Sequence, residues 1–228
     1  MPRRFLALVH VLLALVAVSA CDGGGSDDPK PTAAAFDAAG TLRQSSAAMA
    51  GLKSVAFTMA TEGKSPIMVK GGDVKLLKSG DAQGTLTLEQ SGQNVEAKIV
   101  ALGPVVYLNL GTGGWQRAPK MLAAATYDPS AVLDPDRGIA KLLTSLQNPK
   151  PEAVEKVDGK EAYRIGATLP KDQVSGLLPG VDADLPGQVW VAKADHRLLK
   201  VRGTFPDGGA VVISFTEFDA PYKISAPK

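Results

Sequence analysis

Between Ser54 and Phe218 the apolar residues recur at every second position, and that period constrains the fold more than any other feature of the chain. Val55, Phe57 and Met59 alternate with smaller or polar neighbours, Leu86 and Leu88 with Thr85 and Thr87, and Val95, Ala97 and Ile99 with Glu96 and Lys98. Successive side chains of a strand point to opposite faces, so each run is a strand with one dry and one wet face, as in an antiparallel sheet. Ser91-Gly92 lies between the second and third runs as a hairpin turn. Asp158-Gly159 does the same between Glu152–Val157 and Glu161–Thr168, and Asp207-Gly208 joins Leu198–Phe205 to Val211–Phe218. Val105–Leu110 continues the meander, Gly111 to Gly114 turns it toward Trp115, and Val189–Ala192 adds a further strand. Within Leu198–Phe205, Leu199, Val201 and Phe205 are expected on one face, with Lys200, Arg202 and Thr204 on the other.

Helical signals are fewer. Thr32 to Ala50 is alanine-rich, with Phe36, Leu42 and Met49 near one face, and Gly51 stops it. In YDPSAVLDPDRGIAKLLTSLQ (127–147), Asp128-Pro129 and Asp134-Pro135 each place a capping carboxylate before a proline suited to the first helical position. Two successive helices are therefore expected, the second with an Ile139, Leu142, Leu143, Leu146 stripe. Asp134, Asp136 and Gly138 echo a calcium loop faintly, but caps explain these acids better. A short helix is expected over Asp172–Leu178, between Pro170 and Pro179. About ten strands and three or four helices make an α+β domain whose helices cover the dry face of the sheet.

The N-terminus is of another kind. Arg3 and Arg4 precede Phe5–Ala20, an apolar run ending in small residues and read as an export signal. Its last residues, Val18-Ser19-Ala20, are followed by Cys21, the only cysteine. This stretch resembles the bacterial lipobox, in which the cysteine is acylated and becomes the new N-terminus. The expected organisation is a lipoprotein signal peptide over 1–20, a flexible tether over 21–31 and one domain over 32–228. The tether, Asp22 to Pro31, is rich in glycine, proline and acid and reaches roughly 30 Å when extended.

Without the signal peptide, the 25 Lys and Arg residues become 23 against 23 Asp and Glu. That sum gives no basic excess for nucleic acid or anionic headgroups. With no second cysteine, no disulfide is formed, and stability rests on packing and hydrogen bonding. His196, in the turn Ala194-Asp195-His196, is the single histidine after residue 20 and reads as a solvated turn residue. No G-x-S-x-G, H-E-x-x-H or C-x-x-C stands beside it, and the Gly111–Gly114 cluster lacks the sequel of a phosphate loop. The chain does not read as an enzyme, and no metal or cofactor is expected.

One resemblance is specific. Tyr127-Asp128-Pro129, Val132-Leu133, Pro135-Asp136, Gly138-Ile139-Ala140 and Leu142-Leu143, together with Val95–Tyr107 and the strand of Trp190, resemble the LppX/LprA/LprF/LprG lipoproteins of mycobacteria and relatives, the LprG members most of all. The resemblance implies a strongly curved antiparallel sheet, a half-barrel, with helices closing over its concave apolar face and enclosing a lipid cavity. It also implies acylated lipids or glycolipids as ligands, an acyl anchor in the cell membrane and a membrane exporter as a partner. On that reading Leu86, Leu88, Val95, Ala97 and Ile99 line the sheet side of the cavity. Ile139, Leu142, Leu143 and Leu146 form its roof. Periodicity alone is the same for a cavity and for a collapsed core, which leaves a non-enzymatic interaction module with a filled core as the rival reading.

Overall fold

The computed structural model describes residues 35–111, 113–121 and 129–228. Its centre is one antiparallel sheet of eleven strands. These are β1 (Ser54–Glu62), β2 (Val69–Leu77), β3 (Ala82–Gln90), β4 (Gln93–Leu102), β5 (Val105–Asn109) and β6 (Gln116–Pro119), then β7 (Gln147–Val157), β8 (Lys160–Leu169), β9 (Leu185–Ala192), β10 (Leu198–Thr204) and β11 (Ala210–Phe218). Their order across the sheet is β6-β5-β4-β3-β2-β1-β11-β10-β9-β8-β7, so the first and second halves of the chain meet where β1 pairs with β11. The sheet is curved and does not close, leaving β6 and β7 as edges. Pro149 and Pro151 lie in the edge strand β7, the place in a sheet where a missing N–H is tolerated.

The expected hairpins form as read. Ser91 and Gly92 have φ of 50° and 78°, and Asp158 and Gly159 have 48° and 79°, positive at both central residues as a type I′ turn requires. Two strands went unread. β2 carries Gly71-Gly72 in its interior, which erases the alternation there, and β6 is only QRAP. Leu199 corrects a third reading. The ladder shifts between Leu198 and Lys200, and this bulge turns Leu198 into the main core. Leu199 instead joins Ala162, Trp190 and Ala192 in a separate small cluster.

Two of the helices begin later than expected. α1 spans Ala38–Ala50, with the Asp37 carboxylate accepting from the Gly40 N–H at 2.8 Å, while residues 32–34 lie outside the described residues. A 3₁₀ turn over Pro129–Leu133 takes the place of the first helix after Asp128, itself outside the described residues. α2 covers only Ile139–Ser145. The helix expected at Pro135 is a turn instead, because Asp134 accepts from the N–H groups of Asp136 and Arg137, and Gly138 is extended before α2 starts. A side chain at Gly138 would meet the carbonyl oxygens of Val132, Ala131 and Asp134, so the crossing from turn to helix is open only to glycine. α3 is a single turn, Lys171–Val174, shorter than read.

α1 presents Ala38, Leu42 and Met49 to a core that also contains Leu52, Ile165, Val189, Val191, Val201 and Phe215. α2 packs beside α1, and the Ser46 hydroxyl donates to the Ala140 carbonyl at 2.7 Å. α1 faces β7 and β9, whereas the 3₁₀ turn faces β2.

Candidate functional site

Directly paired residues of an antiparallel ladder share a face. Leu86 pairs with Ala97, Leu88 with Val95, and Gly84 with Ile99. The same rows run on through Gly72 to Met59 and through Val74 to Phe57. Met59, Val74 and Phe57 pack against the main core. Leu86, Leu88, Val95, Ala97 and Ile99 therefore lie on the core-side face of β3 and β4. The register of β5 adds Leu108 beside Ile99, on a strand legible in the sequence.

Along these rows burial changes character. Ala97 is fully buried under its neighbours, but Leu86, Leu88, Val95, Ile99 and Leu108 are only half-buried. None of them is part of the main buried cluster among the described residues. A Cβ on Gly72 would stand 2.8 Å from Leu86 Cδ2 and collide with the Thr85 carbonyl oxygen, so Leu86 lies across bare backbone. That close approach needs glycine, and it is the same feature that hid β2 from the sequence.

The roof stripe behaves differently. Ile139, Leu142, Leu143 and Leu146 are all buried, Leu143 to 1 % exposure, and all belong to the main core with Ile165, Val189 and Val201. Leu146 sits just past the end of α2, in an extended conformation. The structure thus brings the predicted residues together as two groups, a helical stripe packed into the main core and a half-open apolar face on β3–β5.

Polar groups cluster elsewhere. Arg164 spans Glu152 and Glu155, each at 3.0 Å, and Trp190 Nε1 donates to Glu155 at 2.5 Å while Lys200 Nζ lies 3.9 Å over the indole. A shallow depression of about 420 Å³ lies beside them, lined by Lys150, Glu152, Thr168 and Pro186 among others. Its Glu152 is already held by Arg164 and by Gln188 Nε2. His196 has φ of 57° in its turn, but its Nδ1 is buried without a hydrogen-bond partner, so it is less solvated than the sequence implied. The Asp134 carboxyl is held below the usual carboxylate range, first by the Asp136 N–H and then by the Arg137 side chain, which occupies the oxygens a cation would need. Among the described residues no three His, Cys, Asp or Glu side chains come together as a metal site, and no helix is long and apolar enough to cross a membrane. What the β3–β5 face offers is desolvation of apolar chains, about 0.8 kcal/mol per buried CH₂.

Comparison with known proteins points the same way. The family model described as LppX_LprAFG lipoprotein matches residues 37–224. The lipoarabinomannan carrier protein LprG of Mycolicibacterium smegmatis is 29% identical over 231 residues, covering 99% of this chain and 95% of that protein. Its counterpart in Mycolicibacterium hassiacum is 30% identical, covering 100% and 99%. Among solved structures, LprF from Mycobacterium bovis superposes with a TM-score of 0.75 at 22% identity, over 83% of this chain and 96% of that one. The lipoprotein LppX of Mycobacterium tuberculosis gives 0.63 at 23%, over 82% and 97%. At these identities the two structures speak for the fold.

Proposed function

The chain belongs to the LppX_LprAFG lipoprotein family, and from that premise we propose that it is a membrane-anchored carrier of acylated lipids or glycolipids. Residues 1–20 direct export, Cys21 carries the acyl anchor on the outer face of the cell membrane, residues 21–31 form the tether, and 32–228 take up the cargo. The observation that carries this reading is the row of half-buried Leu86, Leu88, Val95, Ile99 and Leu108 on the core-side face of β3–β5. In a filled core, side chains on that face would be covered as Ile165 and Val189 are. Acyl chains laid along Leu86, Leu88, Val95, Ala97 and Ile99, beneath the edge of the roof formed by Ile139, Leu142, Leu143 and Leu146, complete the burial. Relatives named as lipoarabinomannan carriers support a glycolipid cargo. Transfer needs no proton or electron, so the protein acts as a carrier and not an enzyme, and handing cargo on implies a membrane exporter as the partner.

Native mass spectrometry and organic extraction of the purified protein test the cargo. Protein made in its native envelope is expected to bring acylated lipid with it, and lipid-free protein from that source would end the carrier reading. The anchor has its own test. Cys21→Ser is expected to abolish acylation and to release the chain from membranes in a high-salt wash, because acyl chains supply the stable attachment. Retention of the Ser variant through that wash would show another anchor.

A further inference from the structure

The sequence balances charge, but the fold does not distribute it evenly. All strands run along one axis, so their connections gather at two rims. At the first rim, Lys53 leads into β1, Lys78 and Asp81 occupy the β2–β3 connection, and Lys120 follows β6. At the same rim Lys156 and Lys160 flank Asp158 in the β7–β8 hairpin, and Lys193, Asp195 and Arg197 form the β9–β10 turn. The local acids there include Glu161, 3.4 Å from Lys193, and Asp219, 2.8 Å from Arg197. At the opposite rim the balance reverses: Asp172, Asp182, Asp184 and Asp207 stand in the connections against Lys64 and Lys171.

Two further observations fall on the basic rim. Aromatic rings lie directly beneath its cations, with Lys193 Nζ 5.8 Å over Tyr163, Lys160 Nζ 5.9 Å over Phe218 and the Arg197 guanidinium 5.0 Å from the same ring. The chain also enters the domain here. Phe36 stacks on Tyr163, near the start of β8, with ring centroids 4.5 Å apart, only fifteen residues after Cys21. At about 3.3 Å per residue those residues reach at most roughly 50 Å.

We infer that this rim, from the β2–β3 connection across to the β7–β8 hairpin, docks on an anionic lipid surface. Basic side chains above aromatic rings match a negatively charged headgroup layer over an apolar interior. A tether entering at that rim raises its effective concentration at the membrane. The attraction of a few lysines is weak and screened by salt, so it orients an already anchored domain and does not replace the anchor. The inference takes from the proposed function only the acylation of Cys21, and its test removes even that.

The mature chain carrying Cys21→Ser is mixed with vesicles of phosphatidylcholine, with and without phosphatidylglycerol, and bound protein is measured by flotation at low and high salt. Binding is expected only with phosphatidylglycerol and only at low salt. Lys156→Gln and Lys160→Gln are each expected to weaken it about fivefold, whereas Lys64→Gln and Lys171→Gln at the opposite rim leave it unchanged. All four are exposed side chains, and unchanged melting curves confirm that the variants fold. Equal binding to neutral vesicles, equal losses from both rims, or no binding to either vesicle would overturn the inference, the last pointing to a protein surface as the occupant. None of these outcomes bears on whether extracted protein carries lipid, so the two readings fail separately.

Discussion

The two halves of the sheet are built from the same alternation and end in different states. On β8–β10, Ile165, Val189, Val191, Leu198 and Val201 are almost wholly covered, in one core with α1, which faces β7 and β9, and with α2 packed beside α1. On β3–β5, Leu86, Leu88, Val95, Ile99 and Leu108 point to the same side and remain half-buried. Strand chemistry alone does not separate the two. What separates them is the reach of the roof: α2 is only Ile139–Ser145, and its apolar stripe is spent on the core beneath it. Alternation assigns a residue to a face, and coverage decides whether that face is core or surface.

The largest test of this contrast is on the closed side. Leu143→Ala deletes a side chain that is 1 % exposed at the centre of the roof and is expected to cost about 2–5 kcal/mol. At about 3 °C per kcal/mol for a domain of this size, the loss is easily read in a thermal melt. Melting close to wild type would mean that the roof is not packed as described. Next comes Leu86→Trp on the open side. Overfilling a packed core costs about 1–3 kcal/mol, but on a half-open face the larger ring grows into cargo space. The variant is expected to lose bound lipid while its delipidated form melts within about 3 °C of delipidated wild type. Unchanged lipid with a sharply lowered melting point would make β3–β5 core like the rest. The smallest effect lies inside the closed half, where the Ser45 hydroxyl is wholly buried without a hydrogen-bond partner. Ser45→Ala is expected to raise stability by about 1 kcal/mol, since an unpaired buried hydroxyl is a cost. Destabilisation would reveal a bound water or a polar cargo group in contact with it.

The sequence made some of this legible and hid the rest for identifiable reasons. Ser91-Gly92 and Asp158-Gly159 were readable because positive φ at two successive residues selects few residue types. β2 was not, because Gly71-Gly72 removes two side chains from the pattern, and the need for Gly72 shows only once Leu86 is seen lying across it. Leu199 was misassigned because a one-residue bulge leaves no mark in the alternation. At the candidate site, the facing of Leu86, Ala97 and Ile99 could be read, since pairing preserves parity. Their separation from Ile139, Leu142, Leu143 and Leu146 could not, because it depends on which elements α2 packs against. Net charge misled in the same manner: a sum near zero is silent about which lysines share a rim.

The open edges at β6 and β7 have a mechanical consequence. A closed barrel has a radius fixed by its strand number and shear, and widening it means breaking a ladder. A sheet of eleven strands with two free edges has no such lock. A small change of angle shared among its joints alters the girth of the trough while every backbone hydrogen bond between neighbouring strands survives. Pro149 and Pro151 withhold N–H donors from one of those edges, so the sheet can stay unclosed without recruiting a neighbour to finish it. On the proposed carrier reading, that freedom of girth would let one sequence grip cargoes of different thickness without local unfolding.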